Sequence, residues 1–112
     1  MRRLGEFEQV LLFAVLRLGD DAYGTTIRRE IAERTGQELS PGAVYTALDR
    51  LETRGLVASW FGDPTHERGG KRKRHYRVEA AGALALSRAF EAIAAMSEGQ
   101  TDRLQELLRE AD

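Results

Sequence analysis

The sequence predicts a mainly α-helical chain with one small β-hairpin. Apolar residues recur at helical spacing through the first half and again in the last third. Between them a short stretch changes to strand-type spacing, and glycines punctuate the joins. A chain of 112 residues suits one domain of moderate size, able to bury about 65% of the surface that its unfolded form exposes.

In the first helix, Leu4, Phe7, Leu11, Ala14 and Leu18 share one stripe. Val10, Leu12, Phe13, Val15 and Leu16 fill the other faces, so this helix should be covered on more than one side before Gly19 ends it. A second helix is expected to begin around Ala22, with Asp20 or Asp21 as its cap, to place Ile27 and Ile31 four apart, and to stop at Gly36. The third is the most sharply bounded, in "LSPGAVYTALDRLETRGL". Ser40 can cap the free amides, Pro41 suits the first helical position, and Gly55 can take the left-handed turn at the end. Val44, Ala47, Leu48 and Leu51 form its apolar stripe, while Gly42, Thr46, Asp49 and Thr53 point the opposite way, flanked by Tyr45 and Arg50.

The connection "GQEL" between the second and third helices has helix-turn-helix length. After Gly55 the period changes: Leu56, Val57, Ser59, Trp60 and Phe61 favour a strand, "GDPTHERGG" is rich in turn formers, and Arg74 to Val78 favour a returning strand. Trp60, the single tryptophan, is expected to pack against the third helix. From Ala81 onward Leu86, Phe90, Ile93, Ser97, Gln100, Leu104, Leu107 and Ala111 follow alternating steps of four and three, a heptad seam. Its polar middle and Gly99 predict a bend or break near residues 97 to 101, giving one kinked helix or two short ones.

Three helices followed by a hairpin describe a winged helix-turn-helix, in which the third helix enters the DNA major groove and the hairpin lies against the adjacent backbone or minor groove. The charge distribution agrees with that order. Residues 1 to 67 hold 8 Lys/Arg and 11 Asp/Glu, residues 68 to 77 hold 6 and 0, and residues 78 to 112 hold 3 and 7, in a chain of formal net charge -1. The positive charge is therefore gathered on the expected wing, where a duplex would present phosphates. The expected division is a DNA-binding domain over residues 1–80 and a helical dimerisation segment over 81–112. A first helix that is apolar on several sides cannot also cover the whole seam, so Leu11, Leu86, Phe90, Ile93, Leu104 and Leu107 are expected at a two-fold interface.

Other classes are disfavoured. There is no cysteine, no Gly-rich phosphate loop and no Ser and His arrangement fit for a nucleophile, so catalysis is not expected. His66 and His75 alone do not make a zinc site, and neither metal nor cofactor is expected. The longest apolar run, Val10 to Leu16, is too short for a bilayer, and a cytoplasmic location is expected. A winged helix used purely for protein interaction is the alternative.

The sequence resembles the PadR-like transcriptional regulators from about Leu4 to Gly82. "AYGTTIRREI" is similar to that family's opening of helix two, "LSPGAVYTALDRLETRGLV" to its recognition helix, and "GGKRKRHYRVEAAG" to its wing and the start of its last helix. Where the family often carries Pro, Tyr and Thr, this chain has Arg72, His75 and Glu79. The resemblance implies a homodimeric regulator of double-stranded DNA, most often a repressor, in some members released by a small molecule. Some relatives line a drug pocket at the dimer interface with an aromatic of the last helix, where this chain offers Phe90 and no tryptophan. The candidate DNA contacts are Tyr23, Ser40, Gly42, Tyr45, Thr46, Arg50, Lys71, Arg72, Lys73 and Arg74. Each has a plainer reading: Ser40 as a cap, Tyr45 as a core-edge aromatic, Arg50 as a bridge to an acidic neighbour. Strand alternation means that only one of Lys73 and Arg74 need face the duplex. Asp49 would oppose phosphates unless it accepts from a cytosine amino group or pairs with an arginine such as Arg50.

Overall fold

The computed structural model describes residues 3–62 and 72–111. Helix α1 (Glu6–Leu18) opens after Gly5, whose amide donates to Glu8 Oε1 at 2.9 Å, and ends at Gly19. A 3-10 turn over Gly19–Asp21 leads to α2 (Gly24–Thr35), which starts later than the sequence suggests. Neither aspartate caps it. Tyr23 takes the cap position and its amide donates to Thr26 Oγ1 at 3.0 Å. The delay has a visible cause: Ala22 and Tyr23 are extended, the Tyr76 amide donates to the Ala22 carbonyl at 2.9 Å, and Tyr23 forms a bridge with His75. The edge of the hairpin claims these two residues before a helix can.

Helix α3 (Pro41–Thr53) starts and stops as its sequence dictates. Ser40 Oγ accepts from the Ala43 amide at 3.1 Å, and Gly55 turns left-handed with φ 76°. Strands β1 (Val57–Phe61) and β2 (Arg74–Val78) pair antiparallel, with Val57 opposite Val78 and Trp60 opposite His75. The last segment is two helices, α4 (Ala80–Ser97) and α5 (Thr101–Glu110), parted at Gly99 with φ 76°. Glu79 caps α4 only with its backbone; its carboxylate lies 3.9 Å from Arg77.

One core joins α1 (Leu11, Leu12, Val15), α2 (Ile27, Ile31), α3 (Val44, Leu48, Leu51), the hairpin (Val57, Tyr76) and Leu86 of α4. Gly82 lets α4 begin directly on the α3–β1 corner, since a Cβ there would stand 2.1 Å from the Leu56 carbonyl oxygen. Leu11 and Leu86, expected at a dimer interface, are 0% and 3% exposed. Their own chain encloses them, so neither has surface to give a partner. Trp60 also departs from expectation. It shares a hairpin face with His75 and Arg77, whereas Ser59 and Arg74 face α3, so its ring stacks on His75 at 5.5 Å and not on α3. Among the described residues, no helix is long and apolar enough to cross a membrane.

Candidate nucleic-acid interface

Helix α3 buries Val44, Leu48 and Leu51, and this packing turns Gly42, Thr46, Asp49 and Thr53 to solvent. Ser40 is both exposed and occupied as the helix cap. Gly42, Thr46 and Arg50 line a shallow cleft against Phe7 and Glu8 of α1. Glu8, the acidic neighbour on that side, bonds Arg54 at 3.0 Å. No ion pair among the described residues holds Arg50, and its guanidinium is exposed.

On the other flank of α3 the hairpin is fastened by Arg74. Its Nε donates to Ser59 Oγ at 3.0 Å, its Nη2 to Glu52 Oε1, and its Nη1 lies 3.5 Å from Asp49 Oδ1. Ser59 Oγ in turn donates to Glu52 Oε2 at 2.7 Å. A guanidinium that spreads its donors over two carboxylates and a hydroxyl fixes orientation as well as distance. Asp49 does meet an arginine, but at 3.5 Å, and it is Arg74 of β2 and not its neighbour Arg50. Beneath this network lies Tyr76, fully buried, with the Arg74 guanidinium 5.4 Å from its ring. Its hydroxyl finds no partner among the described residues, and burial pushes its pKa up; Arg74 opposes that shift, while Asp49, Tyr45 and Glu52 add to it.

Lys73 takes the opposite side of the strand. Its Nζ stands 4.3 Å above the Tyr23 ring and donates to Tyr23 Oη at 3.2 Å. Because Tyr23 is the cap residue of α2, this places a cation beside a helix N-terminus with its unmet amides. Tyr45 reaches the first residue of α2 from α3. Its hydroxyl lies so close to Gly24 that a Cβ there would be 2.2 Å away, and the residue as a whole remains 42% exposed. The Lys73–Tyr23 pair and, one residue further on, the Tyr45 hydroxyl against Gly24 thus both lie at the head of α2, and donors of this kind suit a phosphate.

The structure therefore brings together Tyr23 and Lys73, sets Tyr45 against the neighbouring Gly24, keeps Gly42, Thr46 and Arg50 along the free face of α3, and gives Arg74 to α3 itself. Arg72 is exposed. Lys71 and His66 lie outside the described residues. Sequence reasoning overlooked Glu52 and Ser59; the three-residue spacing of Asp49 and Glu52, which puts both carboxylates on one side of α3, was the signal for the first. It weighed His75 only as a metal ligand and a wing substitution and missed its contacts: Nδ1 is 2.9 Å from the Asp20 carbonyl oxygen and the ring meets Tyr23 edge-on. No acidic or imidazole cluster among the described residues could hold a metal ion.

The sequence model of the transcriptional regulator PadR-like family matches residues 12–88, from the middle of α1 into α4. Solved structures agree in fold. A PadR family transcription regulator from hypervirulent Clostridium difficile R20291 superposes with a TM-score of 0.67 at 23% identity, over 88% of this chain and 98% of that one. A PadR-like transcriptional regulator from Bacillus cereus strain ATCC 14579 gives 0.69 at 17% identity, over 88% and 91%. A transcriptional regulator from Clostridium thermocellum gives 0.66 at 25% identity, over 81% and 85%. None of the curated proteins matches the chain. Helix α3 and the β1–β2 hairpin are accordingly the recognition helix and wing of a winged helix-turn-helix.

Proposed function

The chain belongs to the PadR-like family of transcriptional regulators, and on that premise we propose that it is a homodimeric repressor that occupies a pseudo-palindromic operator. Helix α3 lies in the major groove with Gly42, Thr46 and Arg50 toward the bases. The corner made by Tyr23, Tyr45 and Lys73 holds a phosphate, and Arg72 follows the backbone beside it. The observation that carries this reading is the Arg74 tie, which makes α3 and the wing one rigid face with its polar side outward.

Residues 1–80 bind DNA in this reading and residues 81–112 join two copies. Phe90, Ile93, Leu104 and Leu107 are 49%, 63%, 55% and 44% exposed. Phe90 meets Phe13 of its own α1 edge-on at 5.6 Å, yet half its surface stays open. Apolar side chains in such number on two successive helices call for a covering partner, and a second copy meets the need symmetrically. Two copies present two α3 helices to half-sites one or more helical turns apart, about 34 Å per turn.

Selection from a random duplex pool, with the mass of the free protein measured beside it, tests the reading. The expected result is an enriched inverted repeat and a mass of two chains. A protein that enriches no duplex is a protein-interaction module instead.

A further inference from the structure

Two carboxylates lie on the side of α3 that faces the wing, and the wing uses them unequally. Glu52 accepts from Ser59 Oγ and from Arg74 Nη2, so both its oxygens are engaged. Asp49, one turn earlier and next to Thr46 on the outward face, leaves 59% of its side chain exposed. Its contact among the described residues is a single long one, 3.5 Å to Arg74 Nη1. A carboxylate has about four acceptor positions, so most of the capacity of Asp49 points into the space that a duplex would fill.

An acceptor with no proton has few uses there. Phosphates repel it, and the base edges of the major groove offer it only the amino groups of cytosine and adenine. On adenine the amino group adjoins the N7 lone pair, which opposes the second carboxylate oxygen. On cytosine the adjoining position is a C–H. The charge balance points the same way. One guanidinium faces two carboxylates, so this patch keeps a negative charge in the middle of an otherwise cationic face, and a complementary donor is needed on the DNA.

Resting on the reading of α3 as the groove-facing helix, we propose that Asp49 is a specificity-determining residue that accepts a hydrogen bond from a cytosine amino group, and that Arg74 is its positioning residue. Arg74 holds the carboxylate at the height of the bases and spends its own charge on Asp49 and Glu52, so it makes no phosphate contact. The basic wing thus divides its labour by strand alternation: Lys73 faces the backbone, and Arg74 serves the base-reading helix.

The test is site selection from a random duplex pool with the wild type, Asp49→Asn and Arg74→Gln, each first checked for a cooperative thermal transition. The wild type should recover a motif with one cytosine per half-site favoured roughly tenfold. Asp49→Asn should move that one position to adenine, whose N6 and N7 suit an amide, and leave the other positions alone. Arg74→Gln should broaden the same position. Asp49 lies on the surface, so its variant keeps the test valid even if Arg74→Gln does not fold. Recovery of the wild-type motif at every position by Asp49→Asn would overturn the assignment while α3 kept its place in the groove. A wild type that recovers no motif would instead overturn the reading of α3 itself.

Discussion

Helices α3 and α5 are both short, and each has leucines along one side, yet the fold treats them in opposite ways. In α3 the leucines are enclosed, Leu48 and Leu51 both at 0% exposure, and the polar side is left to solvent. In α5 no residue is buried, and Leu104, Leu107 and Leu108 stand open. The difference lies in what surrounds them. Helix α3 sits between α1, α2 and the hairpin, so burial of its apolar stripe sets the direction of every polar side chain opposite. Helix α5 follows Gly99 away from that core, and among the described residues nothing covers its leucines. The surface that α3 exposes is polar, and in the proposed reading it reads base edges. The surface that α5 exposes carries open leucines, and in the same reading it is half of an interface.

The same truncation in the two helices should therefore report different things. Leu48→Ala is expected to lower the unfolding free energy by about 2–5 kcal/mol, through lost burial and a cavity that rigid neighbours cannot fill. Leu107→Ala should change the stability of the isolated protomer by no more than about 0.5 kcal/mol, and should instead raise the dissociation constant of the dimer several-fold in sedimentation equilibrium. Similar losses of protomer stability from both would erase the contrast.

Two glycines sharpen it further. Gly82→Ala drives a methyl group into the Leu56 carbonyl, a backbone atom that cannot step aside, and should cost about 1–3 kcal/mol in denaturant unfolding. Gly24→Ala meets the tip of the half-exposed Tyr45 ring, which can swing outward. Its stability should stay within about 0.5 kcal/mol of the wild type, while duplex affinity falls because the hydroxyl leaves the phosphate corner.

A removal that should cost nothing concerns Tyr76. Its buried hydroxyl has no partner among the described residues, so Tyr76→Phe should leave neutral-pH stability equal or higher by up to about 1 kcal/mol. The folded state raises the pKa of this phenol, so the unfolded chain ionises first. The stability linked to Tyr76 is fully present below about pH 10 and is lost as the pH rises through the higher folded value. Thermal unfolding at alkaline pH should show a shallower decline in the variant.

Much of this was legible in the sequence because each signal was local. Ser40, Pro41 and Gly55 mark α3 by capping chemistry, Gly99 marks the break before α5, and alternation sets β2 to the residue. What escaped was decided by contacts across the chain. Asp20 and Asp21 look like caps, but pairing of Ala22 and Tyr23 with β2 moves the start of α2. Trp60 suggests core packing, but strand register puts it on the face of His75. Leu86 in the heptad seam and Leu11 on the stripe of the first helix look available to a partner, and only the packing of α1 and α4 shows that they are already enclosed. Arg74 reads as one more wing cation until Asp49 and Glu52 are found opposite it.

The claim that α3 and the wing act as one DNA-gripping face is tested most directly by the salt dependence of duplex binding in the wild type and in an Arg72→Ala/Lys73→Ala variant. Each lost phosphate contact should reduce the slope of log affinity against log salt by about 0.9, so the variant should bind more weakly with a clearly shallower slope. An unchanged slope would remove the wing from the interface and contradict the account.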